Sequence, residues 1–65
     1  MEMSNILLAS APSIEKLQDC ARRFLFDASA TVTEDLQLLR GDGRAVNGIA
    51  IVQKGKRYRM ESIEQ

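Results

Sequence analysis

The chain has 65 residues, with nine basic and nine acidic side chains, a formal net charge of zero and no histidine. A chain of this length has room for one domain, which buries only about 60% of the surface that the unfolded chain exposes. Cys20 is the single cysteine, so an intrachain disulfide is excluded, and without histidine a zinc site is not expected. Regular packing and self-association are the remaining ways to stabilise so small a core.

An apolar run occupies residues 4–9, near the start of the sequence. Its length fits either a strand or a segment packed on the core, and periodicity leaves both alternatives open. No basic residue precedes it, and it is far shorter than a signal-peptide core or the roughly 20 residues of a membrane span. With a lone thiol and no targeting signal, we expect a cytoplasmic protein without membrane association.

A helix is predicted over residues 13–25. Ser10 or Ser13 can cap its N-terminus, and Phe26 would fall among the charged residues of the opposite side, so the helix is expected to end there. At about 100° per residue, the apolar side chains fall on one arc, which predicts an amphipathic helix packed on a core. These residues are Ile14, Leu17, Ala21, Phe24 and Leu25.

Strand patterns follow the helix. Residues 31–40 and 45–53 alternate or are rich in β-branched residues, and a third such stretch runs from Lys56 to about Ile63. Asp42-Gly43 and Lys54-Gly55 separate them, each ending in the glycine that a two-residue hairpin loop favours. The predicted fold class is α+β in one domain: an amphipathic helix packed on a three- or four-stranded antiparallel sheet, in the order β?-α-β-β-β, with a meander C-terminal to the helix.

The two loops also predict the strand register. Leu36 lies opposite Ile49, which in turn lies opposite Met60. Ile51 lies opposite Tyr58. One face of the sheet is then apolar and is expected to lie under the helix; it carries Leu36, Leu38, Ile49, Ile51, Tyr58 and Met60. The other face is half apolar and needs a cover, from the N-terminal segment or from another chain; it carries Gln37, Leu39, Val46, Ala50, Val52, Arg57, Arg59 and Glu61.

The residues that catalysis needs are missing or isolated. Cys20 has no histidine to activate it and is expected to be a small buried apolar residue. The sequence Gly41-Asp42-Gly43 lies between two strands and predicts a hairpin turn rather than a phosphate-binding loop, because no helix follows it. Glu34 and Asp35 have no apolar pocket around them. We therefore expect no catalytic residue, no cofactor and no metal, and a protein that is not an enzyme.

Charge is distributed unevenly along the chain. Residues 1–39 carry three basic and six acidic side chains, residues 40–59 six basic and one acidic, and residues 60–65 two acidic. The basic stretch raises the hypothesis of a nucleic-acid-binding module, although Tyr58 is predicted to face the core and charges on edge strands also deter unwanted strand pairing. The residues of this alternative are Arg40, Arg44, Lys54, Lys56, Arg57 and Arg59.

The favoured hypothesis is a small protein-interaction module without enzymatic activity. It would associate with a second copy of itself, as a homodimer or larger assembly, or with another protein, through the outer sheet face. An apolar centre with arginine at its rim is the usual composition of a protein interface. Nucleic acid is the less favoured partner. The predicted interface residues are Leu39, Val46, Ala50, Val52, Arg57 and Arg59.

Overall fold

A computed structural model describes residues 5–63 of the chain. They form an α+β fold, which confirms the predicted class. The elements are β1 (Ile6–Ala11), α1 (Ile14–Leu25), β2 (Thr31–Val32), β3 (Leu38–Leu39), β4 (Ile49–Lys54) and β5 (Arg57–Ser62). Strands β1, β5 and β4 form one sheet in that order, with β5 in the centre, and β2 and β3 form a separate two-stranded sheet.

The N-terminal apolar run forms a strand. β1 pairs antiparallel with β5, from Ile6 opposite Ser62 to Ala11 opposite Tyr58, with an irregularity at Leu8. This decides in favour of the strand for residues 6–9; Asn5 precedes the strand, and residue 4 lies outside the described residues. The chain then turns into α1, so that β1 and α1 lie in neighbouring layers.

Helix α1 begins and ends where the sequence predicts. Ser13 has an extended backbone and its Oγ accepts a hydrogen bond of 3.2 Å from the N–H of Lys16, which satisfies one of the free amides of the first turn. Phe26 follows the last helical residue and has a left-handed backbone, with φ 53° and ψ 41°. The helix cannot continue through that conformation.

Most of the predicted apolar arc of α1 faces the core. Leu17 and Ala21 are fully buried, and Ile14 and Leu25 pack against the same cluster. Phe24 is 48% exposed, so its prediction as a core residue is wrong. The angular pattern puts Phe24 at the outer edge of the apolar arc, about 20° beyond Leu17, so it lies where the buried side of the helix meets solvent.

The loop between β4 and β5 lies one residue further along than predicted. Lys54 pairs with Arg57, so that the loop is Gly55-Lys56. Gly55 has a φ of 61°. Glycine at the first position of a two-residue loop is typical of the type II′ turn, whereas the sequence-based loop put glycine second.

Because of this shift, the predicted residue pairing between β4 and β5 is wrong, but the predicted side of the sheet for each side chain is correct. Ile51 lies opposite Met60 rather than Tyr58, and Ile49 lies opposite Ser62. Moving a two-residue loop by one position changes each pairing by two residues, and residues two apart in a strand point to the same side. The side chains of β4 and β5 that were predicted to face the helix therefore still lie on the core side of the sheet.

The hairpin around Asp42 has a three-residue loop rather than the predicted two. The N–H of Arg40 donates to the carbonyl of Arg44 at 2.8 Å, and Gly43 has a φ of 86°. A turn followed by a left-handed residue is the usual form of such a loop. The extra loop residue reverses the side on which the next side chains lie as far as the turn at Asn47-Gly48, beyond which Ile49 and Ile51 keep their predicted side. For this reason Val46, predicted on the outer face, packs against the core.

Strand β3 pairs with β2 instead of β4. Thr31 lies opposite Leu39 and Val32 opposite Leu38. The predicted pairing of Leu36 with Ile49 is therefore wrong: Leu36 belongs to the loop between β2 and β3, with a φ of 64°. The meander that was predicted after the helix is divided between two sheets.

The core lies between α1, the β1-β5-β4 sheet and the β2-β3 hairpin. Its buried apolar cluster consists of Ala11, Leu17, Ala21, Val32, Leu38, Ile51 and Met60. The residues predicted for the apolar face all belong to this cluster or pack against it, but they do not share one sheet: Ile49, Ile51, Tyr58 and Met60 lie on β4 and β5, whereas Leu36 and Leu38 come from the β2-β3 hairpin.

Candidate interaction surface

The β1-β5-β4 sheet has a second face, which points away from α1. Residues directly opposite each other in antiparallel strands point to the same side, so the registers arrange this face in rows. The rows are Leu7, Glu61 and Ala50; then Ser10, Arg59 and Val52; then Arg57 and Lys54. We name this surface the outer face. Within residues 5–63, no helix or strand packs on it.

An ion pair occupies the centre of the outer face. Arg59 Nε lies 3.1 Å from Glu61 Oε2, and the amide of Asn5 donates to Glu61 Oε1 at 3.2 Å. Glu61 is only 9% exposed, although no element among residues 5–63 covers this face of the sheet. Both of its oxygens therefore have a polar neighbour, which offsets the cost of removing the carboxylate from water.

The contact between Arg59 and Glu61 is an ion pair rather than an aligned hydrogen bond. Arg59 Nε is buried and close to the carboxylate, but its N–H does not point at the oxygen, and no other acceptor among the described residues takes it. A buried donor without an aligned acceptor costs about 1–3 kcal/mol. Because the Arg59 side chain remains 35% exposed, water screens the attraction as well. The pair fixes two charges in place and adds little net stability.

Aliphatic side chains flank the ion pair on both neighbouring strands. Leu7 is 49% exposed on β1, and Ala50 and Val52 are partly buried on β4. Towards the β4-β5 loop, Arg57 Nε donates to Ser10 Oγ at 3.2 Å. The outer face thus combines exposed aliphatic surface with compensated charge at its centre and basic side chains at one end, a composition typical of protein interfaces.

The outer face contains four of the six residues that the sequence predicts for the interface: Ala50, Val52, Arg57 and Arg59. Val46 faces the core, and Leu39 lies in β3, outside this sheet. Leu7 was missed because the sequence leaves the pairing of the N-terminal segment open. The apolar run of residues 4–9 was the available signal, but it does not reveal which side chain would lie beside Glu61.

The six basic residues of the nucleic-acid hypothesis lie at two ends of the molecule. Ala11, just before α1, lies opposite Tyr58 and therefore close to the β4-β5 loop. The twelve-residue helix begins there and is roughly 18 Å long, so its C-terminal end lies far from this loop. Arg40 and Arg44 flank the loop that is hydrogen-bonded to Asp27, just past the far end of the helix. Three of the others lie at or beside the β4-β5 loop, and the fourth lies two residues further along β5 in the ion pair with Glu61; they are Lys54, Lys56 and Arg57, and then Arg59.

The remaining candidate groups do not come together. In the part of the chain from residue 5 to residue 63, no group of three or more cysteine, aspartate or glutamate side chains is placed to hold a metal ion. Cys20 is half-buried rather than buried, with Arg23 Nη2 3.9 Å from its sulfur. None of the described helices is long and apolar enough to cross a membrane.

Comparison with known proteins identifies no similar protein. No protein-family model matches the chain, and no curated protein or solved structure does either. The fold and the outer face are therefore the observations on which a function can rest.

Proposed function

We propose that this chain is a small protein-interaction module of the cytoplasm, without enzymatic activity, that binds a second copy of itself through the outer face. The observation that carries the proposal is the presence of aliphatic side chains on both sides of the central strand β5. Leu7 is half-exposed on β1 beside Glu61, and Ala50 and Val52 lie on β4. A sheet face in contact with water is normally polar, so aliphatic side chains on both sides of one ion pair favour a face that is covered by a partner. The single cysteine suits a reducing compartment.

The distribution of charge on the outer face fits a two-fold contact. Such a contact brings the same surface of both copies together, so the surface has to complement itself. Along β5, Arg57 and Arg59 lie towards one end and Glu61 towards the other. When two such sheets stack with their central strands antiparallel, the acidic end of one meets the basic end of its partner. The aliphatic side chains then fill the space between the sheets.

Sedimentation of the protein at several concentrations tests the proposal. The wild type should sediment faster as its concentration rises. Val52→Asp places an unpaired carboxylate in the contact, which costs several kcal/mol, and should lower the mass of the assembly. Gln53→Asp is the matched control, because it adds the same charge one residue along β4, on an exposed position of the other side. A wild type that stays monomeric, or a Val52→Asp variant of unchanged mass, would contradict the proposal.

Nucleic-acid binding is the second hypothesis, and the basic side chains around the β4-β5 loop are the observation in its favour. The hypothesis is weakened by the position of Arg40 and Arg44 at the other end of the molecule, because the six basic residues then do not form one continuous patch. Electrophoretic mobility of DNA and RNA fragments at about 50 mM salt would detect even non-specific binding. If the wild type shifts the fragments and the double variant Arg57→Glu with Arg59→Glu does not, nucleic-acid binding is favoured over self-association. If the wild type produces no shift, the nucleic-acid hypothesis is rejected.

A further inference from the structure

Phe26 occupies a position that neither packing nor backbone conformation explains. Its side chain is 96% exposed and its φ is 53°. The N–H of Asp27 donates to the carbonyl of Arg22 at 3.0 Å, and the N–H of Phe26 to that of Arg23 at 3.4 Å. Glycine is the usual residue at this point of such a helix end, because it adopts the left-handed conformation without strain. A strained residue whose side chain packs on nothing within residues 5–63 points to a role outside the fold.

The Phe26 side chain forms one wall of an open groove at the C-terminal end of α1. The groove has a volume of about 780 Å³. Because α1 covers the opposite side of the sheet, this groove is separate from the outer face. Its lining consists of Asp19, Arg22, Arg23, Phe26, Asp27 and Ala28.

Two of the four charged side chains in this lining form hydrogen bonds with the backbone of their own chain, and Arg23 contacts the Cys20 sulfur at 3.9 Å. Arg22 Nε donates to the carbonyl of Ala30 at 2.8 Å, and Asp27 accepts from two backbone amides. Asp19 and Arg23 are exposed and lie one turn apart on α1, about 6 Å along its axis. With two acidic and two basic groups, the groove carries no net charge. Such a surface suits a copy of itself better than a strongly acidic or basic partner.

We propose that two copies of the chain pair these grooves about a two-fold axis, each inserting Phe26 into the groove of the other. Asp19 of one copy then faces Arg23 of its partner, and the inserted ring lies on the aliphatic stems and guanidinium groups of the arginines, a favourable contact for an aromatic ring. Exposed aromatic and arginine side chains are the residue types that dominate binding at interfaces. This contact is additional to the one proposed for the outer face, and two different two-fold contacts on one chain give a tetramer or a longer assembly.

Sedimentation of Phe26→Gly tests the pairing. Glycine suits the backbone at this position, so at a concentration where both proteins are monomeric the variant should melt at or above the wild-type temperature, and a loss of mass at higher concentration cannot then be attributed to unfolding. We expect Phe26→Gly and Val52→Asp each to reduce the wild-type assembly to dimers, and the double variant to be monomeric. Phe26→Gly with the wild-type mass at every concentration would overturn the pairing. Loss of mass in Phe26→Gly with no change in Val52→Asp would support the pairing and reject the outer-face contact.

Charge reversal tests the partner residues. Asp19→Arg and Arg23→Asp should each raise the dissociation constant by at least about tenfold, because like charges meet across the axis. The double reversal restores opposite charges and should bring the dissociation constant back towards the wild-type value. Glu34→Arg, on the exposed β2-β3 loop, is the control for a change of net charge. Single reversals that leave association unchanged, or a double reversal that restores nothing, would overturn the two-fold arrangement.

Discussion

The carboxylate of Asp27 binds the backbone of Gly41, fourteen residues further along the chain, with Oδ2 accepting from the Gly41 N–H at 2.9 Å. Its other oxygen accepts from the N–H of Ser29 at 3.0 Å. One side chain thus joins the turn after α1 to the three-residue loop that follows β3. The amide of Gly41, and then that of Ser29, favours the charged carboxylate and lowers the pKa of Asp27 below its ordinary value of 3.8.

This lowered pKa predicts a dependence of stability on pH. The stabilisation by Asp27 is fully present above the ordinary pKa and is lost as the pH falls through the lower pKa of the folded state. Asp27→Asn retains one acceptor in place of two, so it should melt below the wild type near neutral pH and alongside it in strong acid. Glu34→Gln, which removes an exposed carboxylate elsewhere, serves as the control. A difference between wild type and Asp27→Asn that stays constant with pH would contradict this role.

The close approach at Gly41 predicts the effect of adding a single methyl group. A Cβ on Gly41 would lie 2.8 Å from Ser29 Cβ, which is too close, so Gly41→Ala should cost about 1–3 kcal/mol. Combining it with Ser29→Gly should recover part of the loss. Gly43→Ala is the comparison: it meets no atom within 4 Å but has a φ of 86°, so its cost of about 1 kcal/mol should not respond to Ser29→Gly. Urea titrations of the wild type, the three single variants and the two double variants provide these values; equal stability of Gly41→Ala and wild type would exclude the clash.

Burial predicts that two apolar residues of the same helix side differ in importance. Leu17→Ala should cost about 2–5 kcal/mol, which approaches the whole stability of so small a domain. Phe24→Ala should cost only about 1 kcal/mol, because half of its side chain is already in water. Thermal melting followed by circular dichroism distinguishes the two. Similar melting temperatures for both variants would mean that the end of α1 is covered as fully as its middle.

Phe26 and Leu36 share a left-handed backbone and differ in burial, which predicts opposite effects of glycine. At a concentration where the chain is monomeric, Phe26→Gly should gain up to about 1 kcal/mol from relief of strain. Leu36→Gly relieves the same strain but removes a side chain that packs against the core, so it should lose stability. Chemical denaturation measures both. A destabilised Phe26→Gly would show that the exposed ring makes a stabilising contact within its own chain.

The helix and the sides of the β4-β5 hairpin could be predicted from the sequence because both depend on periodicity. Apolar residues such as Leu17 and Ala21 define one side of a helix wherever its ends lie. In the β4-β5 hairpin, a loop displaced by one position changed the partner of Ile51 but not its face. The hairpin at Asp42 was less predictable, because Gly43 suits both a two-residue and a three-residue loop, and those two choices place Val46 on opposite sides.

The candidate surfaces were predictable only in part. The alternation of β4 and β5 was enough to place Val52 and Arg59 on one face. The addition of Leu7 depended on the pairing of β1 with β5, a contact between distant parts of the chain that no local pattern encodes. Phe26 was recognised as the end of the helix, but its left-handed backbone could not be predicted, since phenylalanine rarely adopts that conformation.

Contacts between the two copies can be measured directly in a sample that mixes isotope-labelled and unlabelled chains. An isotope-filtered nuclear Overhauser experiment then detects only pairs of protons on different copies. We expect signals among the methyl groups of Leu7, Ala50 and Val52, and their loss in Val52→Asp. The absence of intermolecular signals from these three methyl-bearing residues, at a concentration where sedimentation detects an assembly, would contradict self-association through the outer face.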